Sequence, residues 1–132
     1  MSALKVQTIQ DASGGNPMAV ADLNQGRAKN WVNFNGTAAV VTRDSFNMSS
    51  LTDSGVGFYG INFSSFMANG NYMFGGMVGG ISGYGLLYHI DGTYLRSAAG
   101  YAVGTVFANS LTAAAQAADY PFVNIHVDGD AP

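Results

Sequence analysis

The chain has 132 residues, enough for one domain with a core of its own. Charged residues make up only 10 % and apolar residues 48 %, whereas ordinary soluble domains are about 25 % charged. The net charge of −3 provides no electrostatic footprint for nucleic acid, and the absence of cysteine excludes disulfides and thiolate metal sites.

No run of about 18 apolar residues occurs, so no membrane insertion is expected. The first residues lead into polar sequence without the apolar stretch of a secretory signal. The acidic residues are all Asp, and the only lysines are Lys5 and Lys29. Asp, Gly, Asn and Ser favour turns, while Glu and Lys favour helices. With 18 Gly, 8 Phe and 7 Tyr, the composition predicts strands joined by tight turns. A surface this poor in charge is either neutral-polar or covered by other protein, and the second case predicts an assembly.

Residues 1–26 differ from the rest and read as an arm, or else as a disordered terminus. Leu4, Val6 and Thr8 alternate with Lys5 and Gln7, a short strand pattern. Asp11–Pro17 has loop composition, and Met18–Gln25 has room for one or two helical turns. From residue 27 onward, turn signals recur at strand spacing. Asn35-Gly36 separates Asn30–Phe34 from Thr37–Arg43 and predicts a two-residue type I′ hairpin, whose central residues need φ > 0. Thr52–Gly55 separates Phe46–Leu51 from Val56–Phe63, so the two hairpins read as a meander. In the last of these strands Tyr59, Ile61 and Phe63 share one face.

Asn69-Gly70-Asn71 is the next turn, followed by a strand over Tyr72–Val78. The glycine run 75–85 suits either a flexible loop or backbone lying against aromatic rings or a symmetry axis, and the second is preferred. Asp91-Gly92 joins Leu86–Ile90 to Thr93–Ser97. Tyr101–Phe107 alternates as a strand, and Ser110–Ala118 is an Ala-rich helix candidate capped by Ser110. Phe122–Asp128 is predicted to turn Val123, Ile125 and Val127 inward, with Phe122, Asn124, His126 and Asp128 on the other face. The fold class that follows is all-β: a single antiparallel β-sandwich, jelly-roll-like, over residues 27–132, with a short N-terminal attachment arm over 1–26.

The stretch 27–72 resembles a module of small virion proteins and fibre C-terminal regions of tailed bacteriophages, in outline AKxWVNFNGT…RxSFNxSSxTDxGxGxYxxNF. The residues that carry the resemblance are Trp31–Thr37, then Arg43, Ser45, Phe46, Asn47, Ser49, Ser50, Thr52, Asp53, Gly55, Gly57, Tyr59, Asn62 and Phe63, with Asn71-Tyr72 beyond. Departures are Phe58, where the pattern usually has Asp, Gly60 after Tyr59, and Ala38-Ala39 where it has Gly/Thr. The resemblance implies a virion location and threefold symmetry; it brings no catalytic residue with it.

Other patterns carry less. Gly55–Gly60 formally matches GxGxxG, but a turn precedes it and a strand follows, whereas a dinucleotide site needs a helix there. His89-Ile-Asp91 and His126-Val-Asp128 each place an imidazole and a carboxylate on one strand face, which reads as hydrogen bonding rather than metal binding or general-base work. Asp128-Gly-Asp130 lacks the further oxygen ligands of a Ca²⁺ loop. No metal, cofactor or catalytic residue is therefore expected. Trp31, Tyr72, Tyr84, Tyr88, Tyr94 and Tyr101 are candidates for sugar stacking, with core or interface packing as the competing role.

Together these features predict a non-enzymatic virion surface protein of a tailed phage, a homotrimeric short fibre or knob joined to other virion proteins by its arm. Without heptads or collagen-like repeats, no long shaft is expected. The alternatives are a capsid decoration protein and a carbohydrate-binding module that contacts a host-surface glycan. A glycan depolymerase would need paired Asp residues in a cleft, and no pair is evident.

Overall fold

A computed structural model of the chain describes residues 5–10, 12–15, 17–20, 23, 26–90, 96–108 and 114–130. The strands are β1 (Thr8–Ile9), β2 (Met18–Ala19), β3 (Asn30–Asn35), β4 (Val41–Phe46), β5 (Met48–Asp53), β6 (Phe58–Phe63), β7 (Met73–Gly79), β8 (Tyr84–His89), β9 (Gly100–Ala108), β10 (Gln116–Ala117) and β11 (Phe122–Asp128). All pairings are antiparallel. The four-stranded sheet has the order β4-β3-β11-β7. The five-stranded sheet runs β10-β9-β6-β5, with β8 on β9.

The two sheets face each other across one core. Alternation in β3, β6 and β11 turns Val32, Phe34, Tyr59, Ile61, Phe63, Val123, Ile125 and Val127 inward, all nearly inaccessible to solvent. Tyr101 and Val103 of β9 complete the layer. Rings interlock between the sheets: Phe34 meets Tyr59 edge-on with centroids 4.8 Å apart, and Phe74 stacks on Tyr101 at 5.8 Å. Each fully buried side chain of this size contributes about 1.5–3 kcal/mol. The inward sets predicted for β6 and β11 are those observed.

The meander is not. β3–β4 and β5–β6 are hairpins, but they lie in different sheets, and β4 does not pair with β5. The chain changes sheet at Asn47, which sits at φ 55°. Its side chain makes this corner rigid: Nδ2 donates to the carbonyls of Lys29 (2.9 Å) and Ser65 (3.0 Å), and Oδ1 accepts from the Ser65 N–H at 2.6 Å. Buried Asn30 holds the same corner, donating to the carbonyls of Phe46 and Asn47 while accepting from the Tyr101 hydroxyl at 2.9 Å.

The first hairpin also closes differently from the predicted type I′ turn. Its connection runs from Gly36 to Val40, and neither Asn35 nor Gly36 has a positive φ; Ala38 does, at 57°. Asn35 acts through its side chain, whose Oδ1 accepts from the N–H and hydroxyl of Thr37. The second hairpin turns through Gly55 and Gly57, both at positive φ, and leads straight into β6.

The helix predicted over Ser110–Ala118 is corrected where the chain is described: Gln116–Ala117 is strand β10 on β9, because it finds an open stretch of that long strand beyond β6. Residues 110–113 lie outside the described residues, as do Leu4, the Asp91-Gly92 turn and Tyr94. In the N-terminal stretch, Thr8–Ile9 pairs with Met18–Ala19, so part of the segment read as helical is strand; Val20 and Leu23 follow with helical backbone.

Candidate functional site

The outer face of the four-stranded sheet carries a shallow groove of about 470 Å³ lined by Trp31, Asn33, Met77, Asn124 and His126 over Gly76. Strand register builds it. The inward alternation of β3 and β11 sends Trp31, Asn33, Asn124 and His126 outward, and pairing sets Trp31 opposite His126 and Asn33 opposite Asn124. β7 then adds Gly75 beside His126 and Met77 beside Asn124. Gly75 keeps this wall low, since a β-carbon there would press on the His126 ring at 2.9 Å; Gly76 faces the core opposite Ile125, where a β-carbon would collide with the Asn124 carbonyl and Leu87.

In the middle of the groove Asn33 Nδ2 donates to Asn124 Oδ1. At one end His126 Nε2 lies 3.4 Å from Asp128 Oδ2, so the imidazole and carboxylate do share a face as predicted. Trp31 is 36 % exposed and Met77 70 %. On the flanking β4, Phe46 stands opposite Trp31 and Asp44 opposite Asn33. Arg43 lies on this same outer face, its guanidinium over the Phe122 ring at 4.6 Å, one outward position along β11 from Asn124.

The other sequence candidates scatter. Tyr72 and Tyr101 are core residues, 3 % and 4 % exposed, and are removed as sugar platforms. The Tyr72 hydroxyl donates to the Gly100 carbonyl at 2.8 Å, and burial pushes its pKa up to about 12. Tyr84 and Tyr88 are exposed on β8. His89 lies on the other sheet from His126, its ring 5.7 Å from that of Phe74, and its predicted partner Asp91 is outside the described residues. Among the described residues no three His, Asp or Glu side chains gather at a metal-binding distance.

A second surface feature is the edge formed by β7 and β8. Among the described residues β7 hydrogen-bonds only to β11 and β8 only to β9, so each is an outer strand there. Neither contains Asp, Glu, Lys or Arg, and Met73, Tyr84, Leu86 and Tyr88 are exposed on them outside the groove. The opposite edge, β4 and β5, carries Arg43, Asp44 and Asp53. Part of the glycine run 75–85 lies against rings: β-carbons on Gly80, Gly83 and Gly85 would meet Phe122, Phe107 and Tyr120 respectively, whereas one on Gly79 would meet nothing.

Sequence reasoning missed the Asn33–Asn124 pair, because nothing local marks two asparagines 91 residues apart as neighbours. It also missed Asp119, whose Oδ1 accepts from the Tyr59 hydroxyl and the Gly57 N–H, both at 2.7 Å. No protein-family model matches the chain, and no curated protein or solved structure matches it either.

Proposed function

We propose that the chain is a non-enzymatic structural protein on the surface of a tailed-bacteriophage virion, a short fibre or knob attached by its arm (residues 1–26) and assembled as a homotrimer. The observation that carries this reading is the uncharged β7/β8 edge. Open strands are templates for pairing, and isolated domains blunt them with lysine, proline or bulges. Here the edge has none of the first two and adds exposed Met, Leu and Tyr side chains, the composition of a covered surface. Association with sister chains covers it, and closed symmetry does so without forming open filaments. The threefold order and the virion location come from the resemblance of residues 27–72 to the phage module.

A second reading, a carbohydrate-binding receptor-recognition module, is favoured by the groove around Trp31 and is compatible with the first.

Gold-labelled antibody to the chain, applied to intact particles of the phage that encodes it, tests the proposal. Label on the tail supports a fibre or knob, and label spread over the head supports capsid decoration. Particles that carry no label and no chain by mass spectrometry contradict the virion reading.

A further inference from the structure

We propose that the groove on the four-stranded sheet binds a neutral sugar, with a pyranose ring seated on Trp31 and its hydroxyls bonded to Asn33 and Asn124. This deepens the carbohydrate-binding reading and stands on the groove alone, independent of any virion location.

Three features point to this chemistry. First, the groove has an aromatic floor at one end and a polar centre, the combination that a sugar presents in reverse: an apolar C–H face rimmed by hydroxyls. Most ligand sites likewise combine apolar walls with a few placed polar groups. Trp31, partly exposed on β3, supplies the face, and the Met77 side chain forms the far wall.

Second, the asparagine pair has the right valence. An amide side chain offers two N–H donors and an acceptor oxygen with two lone pairs. Asn33 spends one N–H on Asn124 Oδ1. That fixes both amide planes side by side and leaves Asn33 with a donor and its oxygen, and Asn124 with both donors. Adjacent donors and acceptors held in fixed geometry match neighbouring sugar hydroxyls, which both donate and accept.

Third, the charges around the groove discriminate against anions. No Lys or Arg lines it. Asp44 stands beside Asn33 on β4, and Asp128 closes the His126 end. A phosphate, carboxylate or acidic sugar would meet these carboxylates with no Lys or Arg among the lining residues, Arg43 being engaged on the Phe122 ring. A neutral ligand meets no such barrier.

Trp31 is the sole tryptophan of the chain, so fluorescence excited selectively in tryptophan reports on this groove. The full chain would be titrated with the methyl glycosides of glucose, galactose and mannose, with N-acetylglucosamine, and with sialic acid as the anionic arm. The expected result is a saturable fluorescence change with at least one neutral sugar and none with sialic acid. Asn124→Ala should weaken that binding about tenfold, the equivalent of one lost hydrogen bond, in a chain that still unfolds cooperatively. Saturation-transfer NMR on Trp31→Ala should show the signal lost. The proposal is overturned by no saturable response to any neutral sugar, by a response to sialic acid alone, or by full affinity in Asn124→Ala. If either variant fails to fold, the titration of the unmodified chain decides alone. Because the particle-labelling experiment does not involve sugar, failure here and failure of the virion reading are separate results.

Discussion

Gly36 and Tyr59 are packed so closely that a β-carbon on Gly36 would run into the tyrosine ring, with Cζ only 2.9 Å away. The Tyr59 hydroxyl donates to Asp119 Oδ1 at 2.7 Å, with the Gly36 carbonyl 3.3 Å from it. Glycine is needed here for space. The left-handed turn position is Ala38. Gly36→Ala should therefore destabilise the domain by about 1–3 kcal/mol, the cost of overpacking a filled site. Combining it with Tyr59→Phe, which removes the crowding hydroxyl, should cost less than the sum of the two single changes. Ala38→Gly should instead stabilise by about 0.5–1 kcal/mol, because relief of the left-handed strain exceeds the added chain entropy. Urea denaturation measures all four; additivity in the double variant, or a loss of stability in Ala38→Gly, would contradict this assignment.

Asn47 is the corner at which the chain leaves one sheet for the other. Asn47→Ala removes two donated bonds and one accepted bond and places a residue without local hydrogen bonding at φ 55°. A loss of about 2–4 kcal/mol is expected. Asn47→Gly, which tolerates the backbone but lacks the bonds, should lie between alanine and the unmodified chain. Equal stability of the glycine variant and the original would mean that the side-chain bonds contribute nothing.

The strands were legible because their periodicity is strong. Phe122–Asp128 and Tyr59–Phe63 show alternation that only a half-buried strand produces, and both inward sets hold. What was not legible is long-range. The Asn35-Gly36 dipeptide is a good local hairpin signal, but Tyr59 and Tyr120 of distant segments fix its backbone, and tertiary packing overrides local turn preference. The Ala-rich 110–118 segment has helical propensity, yet Gln116–Ala117 pairs with β9, whose free edge no local pattern reveals. The groove fails to show for the same reason: Trp31 was visible as a candidate, while its partners Asn124 and His126 come from a strand at the far end of the chain.

Burial raises the pKa of Tyr59, Tyr72, Tyr101 and Tyr120, with the Asp119 hydrogen bond also raising that of Tyr59. Each group holds its proton more tightly folded than unfolded, so stability is full below about pH 10, the ordinary tyrosine value. Above it the unfolded chain releases these protons first, and stability falls as pH rises toward about 12, the value for Tyr72. The urea midpoint should be flat from neutral pH to about pH 10 and then decline steeply. A midpoint that did not change through pH 11 would show that these hydroxyls are not buried as described.

Removing residues 1–26 should leave the sandwich folded. Among the described residues β1 and β2 form a two-stranded sheet of their own, with no ladder to the two main sheets, and Val6, Ile9, Met18 and Leu23 are all exposed. The truncated chain should keep its stability within about 0.5 kcal/mol, as for changes away from packed features, and should fail to join particles. Loss of folding would place the arm in the core instead.

The central claim is that the β7/β8 edge is covered by sister chains. Glutamate at Gly76 or Gly80 would not test it cleanly, because a β-carbon at either position already collides inside the domain. Leu86 is a better probe, 60 % exposed on β8 and away from the groove. Sedimentation equilibrium at micromolar concentration should show the chain at three times its 13.7 kDa mass, and Leu86→Lys as a folded monomer. A stable monomer of 13.7 kDa for the unmodified chain, or a trimer untouched by Leu86→Lys, would contradict the account.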